Sequence, residues 1–345
     1  MSASTFSKYD EYGFVRPDDF DYAEYEKFMS VYLTVLSKRS MKWSRVMASS
    51  NPQLKRTRNL RQYVRKGIPM SLRAQVWTSV SGVQWLKDEY AEYGSDLYKK
   101  LLNKPINDDI KNIITVDLPR TYPDNIYFYP SSENQSALYR ILWAFAAHNP
   151  YLGYCQGLNY IAGLLLLVTK NEETTFWLLR VLVEKKLPDY YSKTMDGVVV
   201  DIEVFSRLVK KKCPDVAQHM INLDMPWALI VTKWFVCLFA EVLPIETTLR
   251  IWDCLFYEGS KIIFRVGLLL VKHYRTELLA CEDIGSLAEC FKSIIQRPFP
   301  LNCHTFIKKM FTGIGSLPMS LINDLRVQVS AERNADMSTY KNRKG

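Results

Sequence analysis

SALYRILWAFAAHNPYLGYCQGLNYIAGLLLLVTK, residues 136–170, is the stretch that decides the fold class of this 345-residue chain. Between positions 138 and 145 its apolar residues recur at i, i+3, i+4 and i+7, which predicts a helix with one buried face. Asn149 and Pro150 end this helix, and a turn with two glycines precedes a nearly all-apolar helix expected at about 159–170. The stretch therefore predicts two helices joined by a short turn.

The same helical spacing recurs along the rest of the chain. It predicts further helices at about 21–48, 72–86, 174–186, 227–243, 249–259, 262–280 and 285–295. Ser71 is expected to cap the helix that begins at 72. The only strand-like alternation is VVVDIEVF at 198–205, and there is no βαβ rhythm. The pattern indicates an all-α fold built by helix-on-helix packing.

Composition suggests where the two ends of the chain differ from its middle. Residues 1–66 are predicted to form an N-terminal extension, which begins with a polar, loosely ordered arm over residues 1–20. The segment SSNPQ at 49–53 marks a break in this extension. Hydrophobic density falls after about 318, so residues 301–345 are predicted to form a C-terminal helix and a flexible tail.

The positive charge of the chain lies in one segment. The formal net charge is +9, and residues 38–66 contain ten Lys or Arg and no acidic residue, which leaves −1 for the remainder. Such a segment can contact RNA, anionic lipid or an acidic protein surface. It can equally be a solvated helical face around Trp43 and Tyr63. Because no nucleic-acid-binding motif accompanies it, we expect no nucleic-acid partner.

Several classes of protein are disfavoured by the sequence. The longest apolar run, at 161–168, is about half of the roughly 20 residues that a bilayer span requires. The acidic, aromatic N-terminus does not resemble a signal peptide, so we expect a cytoplasmic protein. The seven cysteines form no CxxC pair and the four histidines are widely spaced, so reduced thiols and no bound metal are expected.

The sequence also lacks the motifs of a self-contained active site. It has no phosphate-binding loop, no GxSxG motif and no kinase signature. His148 and Cys155 could suggest a thiol hydrolase, but no third residue that would orient them is identifiable. The chain is therefore not expected to be a stand-alone enzyme.

Two polar residues in irregular segments remain as candidates for chemistry. Arg120, in ITVDLPRTYP at 114–123, lies between two prolines and is expected in extended or turn backbone. Its guanidinium could stabilise charge on a transferring phosphoryl group, while Gln156 could orient an attacking water. Gly153 and Gly157 would leave room beside Gln156 for a partner. The alternative is structural: Arg120 pairs with Asp117 or caps a helix, and Gln156 stabilises a turn.

Three motifs together resemble those of the TBC domain family, the Rab GTPase-activating proteins. These are GIPMSLRAQVW at 67–77, ITVDLPRT at 114–121, and YCQGLN at 154–159, in which Leu158 replaces a methionine. FWLL at 176–179 and LPIETTLRIWDCLFYEG at 243–259 are similar to later helices of the family. The order and spacing of these segments place the resemblance, and hence a TBC domain, at 67–300.

The resemblance implies an all-helical, V-shaped domain that stimulates GTP hydrolysis by a Rab GTPase in trans. In this mechanism Arg120 stabilises transition-state charge and Gln156 orients the hydrolytic water. The supporting residues of the motifs would be Asp117, Arg73, Asn159, Ile114 and Trp77.

The partner implied by the resemblance is a GTP-bound Rab. That partner would carry the nucleotide and magnesium, so the chain needs no cofactor of its own. A role in vesicle trafficking would place the protein in the cytoplasm and peripherally on endomembranes, with weak anionic-membrane contact through 38–66. The alternative is a catalytically silent Rab-binding scaffold.

Overall fold

The computed structural model describes residues 7–344 apart from 50–53, 92–95, 188 and 296, with side chains described to residue 335. Within these residues the regular structure is helical, and β-pairing is limited to the isolated bridges Tyr9–Val15 and Phe14–Asn125. The predicted all-α fold is confirmed. The chain divides into two compact units, Met1–Lys186 and Leu187–Gly345.

The first unit contains nine α-helices within its described residues. They are α1 Tyr22–Ser49, α2 Arg58–Lys66, α3 Arg73–Ser81, α4 Val83–Glu89, α5 Leu97–Leu102, α6 Asp108–Asp117, α7 Glu133–His148, α8 Leu158–Thr169 and α9 Glu172–Arg180. One-turn 3-10 helices occupy Met70–Leu72 and Leu118–Arg120, and a π-helical segment, Val181–Lys186, follows α9.

The core of the first unit is formed by α7, α8 and α9, which pack against one another. The side chain of Ser132 caps α7 by accepting from the amide of Gln135. Helix α7 buries the predicted face, whereas α8 is buried along nearly its whole length because it combines an apolar sequence with helices on several sides. The two helices predicted from residues 136–170 are therefore confirmed within a few residues.

The N-terminal segment differs from the expected loose arm. Residues 7–16 form a hairpin, in which the amide of Asp10 donates to the Phe14 carbonyl at 2.9 Å and Asp10 Oδ1 accepts from the amides of Tyr12 and Phe14. The hairpin is bonded to residues 124–126. Residues 1–6 and the predicted break at 50–53 lie outside the described residues, although α1 does end at Ser49.

The helix predicted at 72–86 is interrupted. Helix α3 ends at Ser81, because the next residue, Gly82, has a φ of 103° in the left-handed region that glycine tolerates, and α4 begins at Val83. The predicted cap at Ser71 is wrong: Ser71 lies inside the 3-10 turn that follows Pro69, and α3 has no side-chain cap.

The regular structure in the described part of the second unit is also helical. Its helices are α10 Asp196–Lys212, α11 Pro214–Asn222, α12 Trp227–Val236, α13 Ile245–Glu258, α14 Lys261–His273, α15 Arg275–Leu279, α16 Ile284–Ile294, α17 Pro298–Leu301, α18 Cys303–Thr312 and α19 Met319–Lys344. VVVDIEVF is not a strand but part of α10, because Asp201, Val204 and Leu208 follow a helical period and are all buried.

One helix prediction in the second unit needs correction. The helix expected at 227–243 stops at Val236, since Leu238 and Phe239 have positive φ values of 49° and 65°. The Trp252 indole donates to the Leu238 carbonyl at 2.9 Å and stabilises this turn. The C-terminal segment, expected to hold a helix and a flexible tail, contains the helix α19, and the flexibility of its end stays a prediction. The predicted domain boundaries after 66 and 300 stay predictions.

Candidate functional site

Arg120 lies in a single 3-10 turn that directly follows α6. Helix α6 ends at Asp117, and Pro119 occupies the start of the turn Leu118–Arg120, where its missing N–H removes no helical hydrogen bond. The backbone becomes extended at Thr121. As predicted, Arg120 lies in turn backbone, because the α-helix ends at Asp117. The turn is a regular 3-10 turn.

The Arg120 side chain is 56% exposed and folds back toward α6. Its Nη2 lies 3.2 Å from Asp117 Oδ1, and its Nε donates to the Val116 carbonyl at 3.2 Å. The pairing with Asp117 that the sequence left open is therefore present. Within the described residues Nη1 forms no hydrogen bond, so the guanidinium keeps donors that face solvent.

Asp117 joins Arg120 to the second motif. The Asp117 carboxylate is buried, and its Oδ2 accepts from the Tyr154 hydroxyl at 2.7 Å. Burial, reinforced by this hydrogen bond to Asp117, raises the pKa of Tyr154 well above its usual range. The phenol therefore stays protonated and remains a hydrogen-bond donor to Asp117 at physiological pH.

Further hydrogen bonds join the same two segments. The Thr121 hydroxyl donates to the Asp117 carbonyl at 2.8 Å and accepts from Asn159 Nδ2 at 2.7 Å. The Tyr160 hydroxyl donates to the Arg120 carbonyl at 3.3 Å. We refer to the five side chains that form these bonds between the two segments as the polar frame: Asp117, Thr121, Tyr154, Asn159 and Tyr160.

Gln156 lies at the exposed end of the turn that leads into α8. Within the described residues its side chain forms no hydrogen bond. Gly157, which has a φ of 107°, precedes α8 and donates its N–H to Asn159 Oδ1 at 3.1 Å. At Gly153 a Cβ would lie 2.6 Å from Ile110 Cδ1, so the space beside Gly153 is filled by α6 and does not serve a partner as expected.

The other predicted residues are buried around this site. Ile114 and Trp77 are fully inaccessible and belong to the cores of α6 and α3. Arg73 is also buried, and its Nη1 donates to the Tyr12 hydroxyl of the N-terminal hairpin. Their roles as supports stay predictions. The sequence reading missed Thr121, Tyr154 and Tyr160 as frame residues, although the first two lie inside the quoted motifs.

The alternative His148–Cys155 site is not supported by the contacts of His148. Its imidazole lies edge-on to Tyr90 and Phe176, and its Nε2 is 3.5 Å from Glu184 Oε1. Burial, together with Arg180 and Lys104, lowers the pKa of His148 to about 4, and burial raises the pKa of the Cys155 thiol. A neutral thiol is a poor nucleophile, so these two residues do not form an activated pair.

The described residues offer neither a metal centre nor a membrane span near this site. Among the described residues, no cluster of His, Cys, Asp and Glu has the arrangement of a metal site, and no helix is long and apolar enough to cross a membrane. A cavity of about 730 Å³ in the first unit contains the ion pair between Arg140 and Glu172, whose closest atoms are 2.7 Å apart. Neither Arg120 nor Gln156 lines that cavity.

Comparison with known proteins gives consistent matches. The Rab-GTPase-TBC domain model matches residues 70–279. The chain is 46% identical to growth hormone-regulated TBC protein 1 of Homo sapiens over 94% of this chain and 95% of that protein. It is 45% identical to growth hormone-regulated TBC protein 1-A of Danio rerio over 95% and 92% of the two chains.

A solved structure, the Chlamydomonas flagellar RabGAP TBC domain, superposes with a TM-score of 0.75 at 30% identity, covering 89% of this chain and 100% of that one. From the whole sequence, including YGFVRP at 12–17, we also expect similarity to the growth hormone-regulated TBC protein, and this is confirmed. The motifs, the helical fold and these matches together show that the chain belongs to the Rab-GTPase-TBC domain family.

Proposed function

We propose that this protein accelerates GTP hydrolysis by a Rab-family GTPase, supplying Arg120 and Gln156 in trans. The observation that carries the proposal is the polar frame, which ties the segments of Arg120 and Gln156 together while both side chains remain exposed. Two exposed side chains, one cationic and one neutral, on segments joined by hydrogen bonds suit a partner that brings its own nucleotide. The family membership and the names of the matched relatives support the same function.

Arg120 would leave its pairing with α6 and bind the phosphate oxygens on which negative charge develops. An arginine supplied in trans increases GTP hydrolysis by roughly 10³–10⁵, which corresponds to about 4–7 kcal/mol. Because the Arg120 side chain is 56% exposed, its ion pair with Asp117 contributes about 1 kcal/mol or less to stability. The gain in the transition state therefore exceeds the cost of releasing the arginine, and Asp117 keeps its bond from Tyr154.

Gln156 would orient the attacking water. Its amide can accept from the water and donate to a phosphate oxygen, so one side chain sets the position of the nucleophile. Asn159 holds the start of the helix behind it through the N–H of Gly157. GTP and magnesium would be bound by the Rab, and this chain would hold neither.

The test is a panel of purified Rabs loaded with GTP, with hydrolysis measured under single-turnover conditions. We expect at least one Rab to be accelerated, and the double variant Arg120→Ala/Gln156→Ala to lose that acceleration. The matched control is Arg45→Ala/Gln62→Ala, which removes an arginine and a glutamine that are also exposed but lie outside the frame. No response from any Rab, or full activity of the double variant, would refute the proposal.

The alternative function is a silent scaffold that binds a GTP-loaded Rab without accelerating it. In that case titration would give saturable binding to a Rab whose hydrolysis rate stays at its intrinsic value. Loss of Arg120 would then leave the affinity unchanged. The exposure of both donors favours the catalytic alternative, because a scaffold has no need of them.

A weak contact with anionic membrane through residues 38–66 is favoured by one observation. Seven of the ten basic residues of this segment are exposed: Lys38, Lys42, Arg45, Lys55, Arg56, Arg58 and Lys66. Trp43 instead packs inward and donates its indole N–H to the Gly67 carbonyl at 2.8 Å. Burial and the nearby Arg56 cation lower the pKa of Lys186 to about 8, as expected in a cationic region.

Sedimentation with liposomes tests this contact. We expect binding that increases with the fraction of acidic lipid and weakens with salt, since the attraction is screened. The variant Lys38→Glu/Lys42→Glu/Arg45→Glu should abolish it. Binding that depends on neither lipid charge nor salt would exclude the contact, and with it a peripheral endomembrane location that relies on this segment.

A further inference from the structure

The hairpin at residues 7–16 lies outside the matched domain model but is bonded to the backbone that follows Arg120. Val15 N donates to the Asp124 carbonyl at 3.0 Å, and Ile126 N donates to the Gly13 carbonyl at 2.9 Å. These two backbone bonds make the hairpin an antiparallel partner of residues 124–126. The side-chain Nδ2 of Asn125 adds a third bond by donating to the Tyr12 carbonyl at 2.9 Å.

Aromatic side chains connect the hairpin to the segment that contains Arg120. The Phe14 ring packs edge-on against Tyr122 with centroids 5.1 Å apart, and Tyr122 packs in the same way against Tyr160 at 5.6 Å. The Tyr122 hydroxyl donates to the Tyr160 carbonyl at 2.8 Å, and the Tyr160 hydroxyl donates to the Arg120 carbonyl at 3.3 Å. Phe14 is therefore linked to the Arg120 backbone through two tyrosines.

The backbone that is held in this way has an uncommon conformation. Tyr122 has a φ of 53°, in the left-handed region that non-glycine residues adopt at a cost of about 1 kcal/mol. Such a conformation persists only where the surrounding contacts impose it. Tyr122 is two residues from Arg120, so a change in its conformation would redirect the arginine.

The hairpin is itself anchored to the domain. Arg73 donates to the Tyr12 hydroxyl, which connects the hairpin to the first residue of α3. At Gly13, where φ is 85°, a Cβ would lie 2.6 Å from the Tyr127 ring, so the hairpin and the following loop are in close contact. Arg73, predicted as a support of the site, would then act through this hairpin.

We propose that the N-terminal hairpin positions Arg120 for catalysis, with Phe14 as the positioning residue that acts through Tyr122 and Tyr160. The inference rests on the proposed function, since it assigns the hairpin to the same reaction. Misplacing a catalytic group by about 1 Å can lower a rate by as much as about 100-fold. Loss of the Phe14 ring is expected to reduce the maximal rate of stimulated hydrolysis about tenfold.

The kinetic test uses the full chain and a Rab that responds to it. Phe14→Ala should lower the maximal rate about tenfold and change the KM for the Rab by less than about twofold, because the arginine is misdirected while the Rab still binds. The control Tyr9→Ala removes an exposed ring from the same hairpin and should retain the rate. Gly13→Ala, which cannot keep the close contact, should reproduce the loss.

A double-mutant cycle separates positioning from a loss of folded protein. In the Arg120→Ala background, Phe14→Ala should have no further effect, because there is no arginine left to position. A tenfold loss that persists in this background, or a full rate for folded Phe14→Ala, would overturn the inference.

Amide hydrogen exchange tests the hairpin without any Rab. In Phe14→Ala the amides of residues 121, 122 and 124–126 should exchange at least about tenfold faster, while those in the middle of α7 and α8 should be unchanged. Unchanged exchange at 121–126 would overturn the inference. If no Rab responds to the wild-type protein, the proposed function fails, and exchange alone then decides whether the hairpin orders the Arg120 segment.

Discussion

Two arginines of the first unit, Arg120 and Arg180, each pair with a carboxylate three or four residues away, but their surroundings differ. Arg120 is 56% exposed and contacts Asp117 through one nitrogen. Arg180 is inaccessible, and its Nε and Nη2 donate to Glu184 at 2.7 and 2.9 Å. Its guanidinium also lies 4.3 Å from the centroid of the Tyr90 ring.

The difference shows how one residue type takes two roles in one unit. We call Tyr90, His148, Phe176, Trp177, Arg180 and Glu184 the Arg180 cluster, since they all contact Arg180 or each other. Its cation is held by rings and a bidentate carboxylate, so it can stabilise the fold but cannot reach a partner. The backbone of Arg120 is bonded to the polar frame through Tyr160. Its exposed side chain can exchange its contacts with α6 for contacts with a partner.

The largest expected effect is on the rate. Arg120→Ala should lower stimulated GTP hydrolysis by roughly 10³–10⁵ while changing the free energy of unfolding by about 1 kcal/mol or less. Arg120→Lys should also lose most of the stimulation, because lysine lacks the planar fork of donors. Single-turnover hydrolysis and urea unfolding measure the two quantities. A large loss of stability for Arg120→Ala would contradict the contrast with Arg180.

The opposite pattern is expected for Arg180→Ala. Removing the cation leaves Glu184 and the stacked rings without their partner, which should lower the free energy of unfolding by about 3 kcal/mol. The rate per folded molecule should remain close to that of the wild type. Urea unfolding with hydrolysis measured on the folded fraction checks this. Arg180→Lys keeps the charge but loses the bidentate contact, so its free energy of unfolding should lie between those of the wild type and Arg180→Ala.

His148 gives the Arg180 cluster a pH dependence. Its pKa is about 4 in the folded protein, below the usual 6.5, so the unfolded chain binds more protons between these values. Stability should therefore be fully present above pH 6.5 and decrease by about 3 kcal/mol as the pH falls to 4. Urea unfolding at several pH values measures this. The variant His148→Gln should lack this part of the pH dependence, and an identical profile would contradict it.

The smallest expected effect is at the polar frame. Tyr154→Phe removes the hydroxyl that donates to Asp117 and should lower the free energy of unfolding by about 1.5 kcal/mol, with about a threefold decrease in rate. Tyr151→Phe is the matched control, because Tyr151 lies on the same turn but is 90% exposed. Equal effects of the two variants in unfolding and hydrolysis measurements would show that the frame does not support Arg120.

Local sequence patterns were sufficient for the helices that have a continuous apolar face. Helices α7 and α8 were predicted within a few residues because their spacing depends only on neighbours along the chain. The strand-like alternation at 198–205 belongs to a helix, since burial there follows a helical period. The helix predictions were wrong at Gly82 and at Leu238, where a single backbone conformation ends a helix whose side-chain pattern continues.

The sequence by itself determined the helical class, the family and the two residues proposed for catalysis, because motifs and periodicity are properties of short segments. Only the tertiary structure decided which groups hold those residues. Asp117 and Tyr154 are 37 positions apart, and the Tyr12 carbonyl and the Asn125 side chain that donates to it are 113 positions apart. Contacts at such separations depend on how the helices pack and on the closure of long loops, which no local pattern encodes.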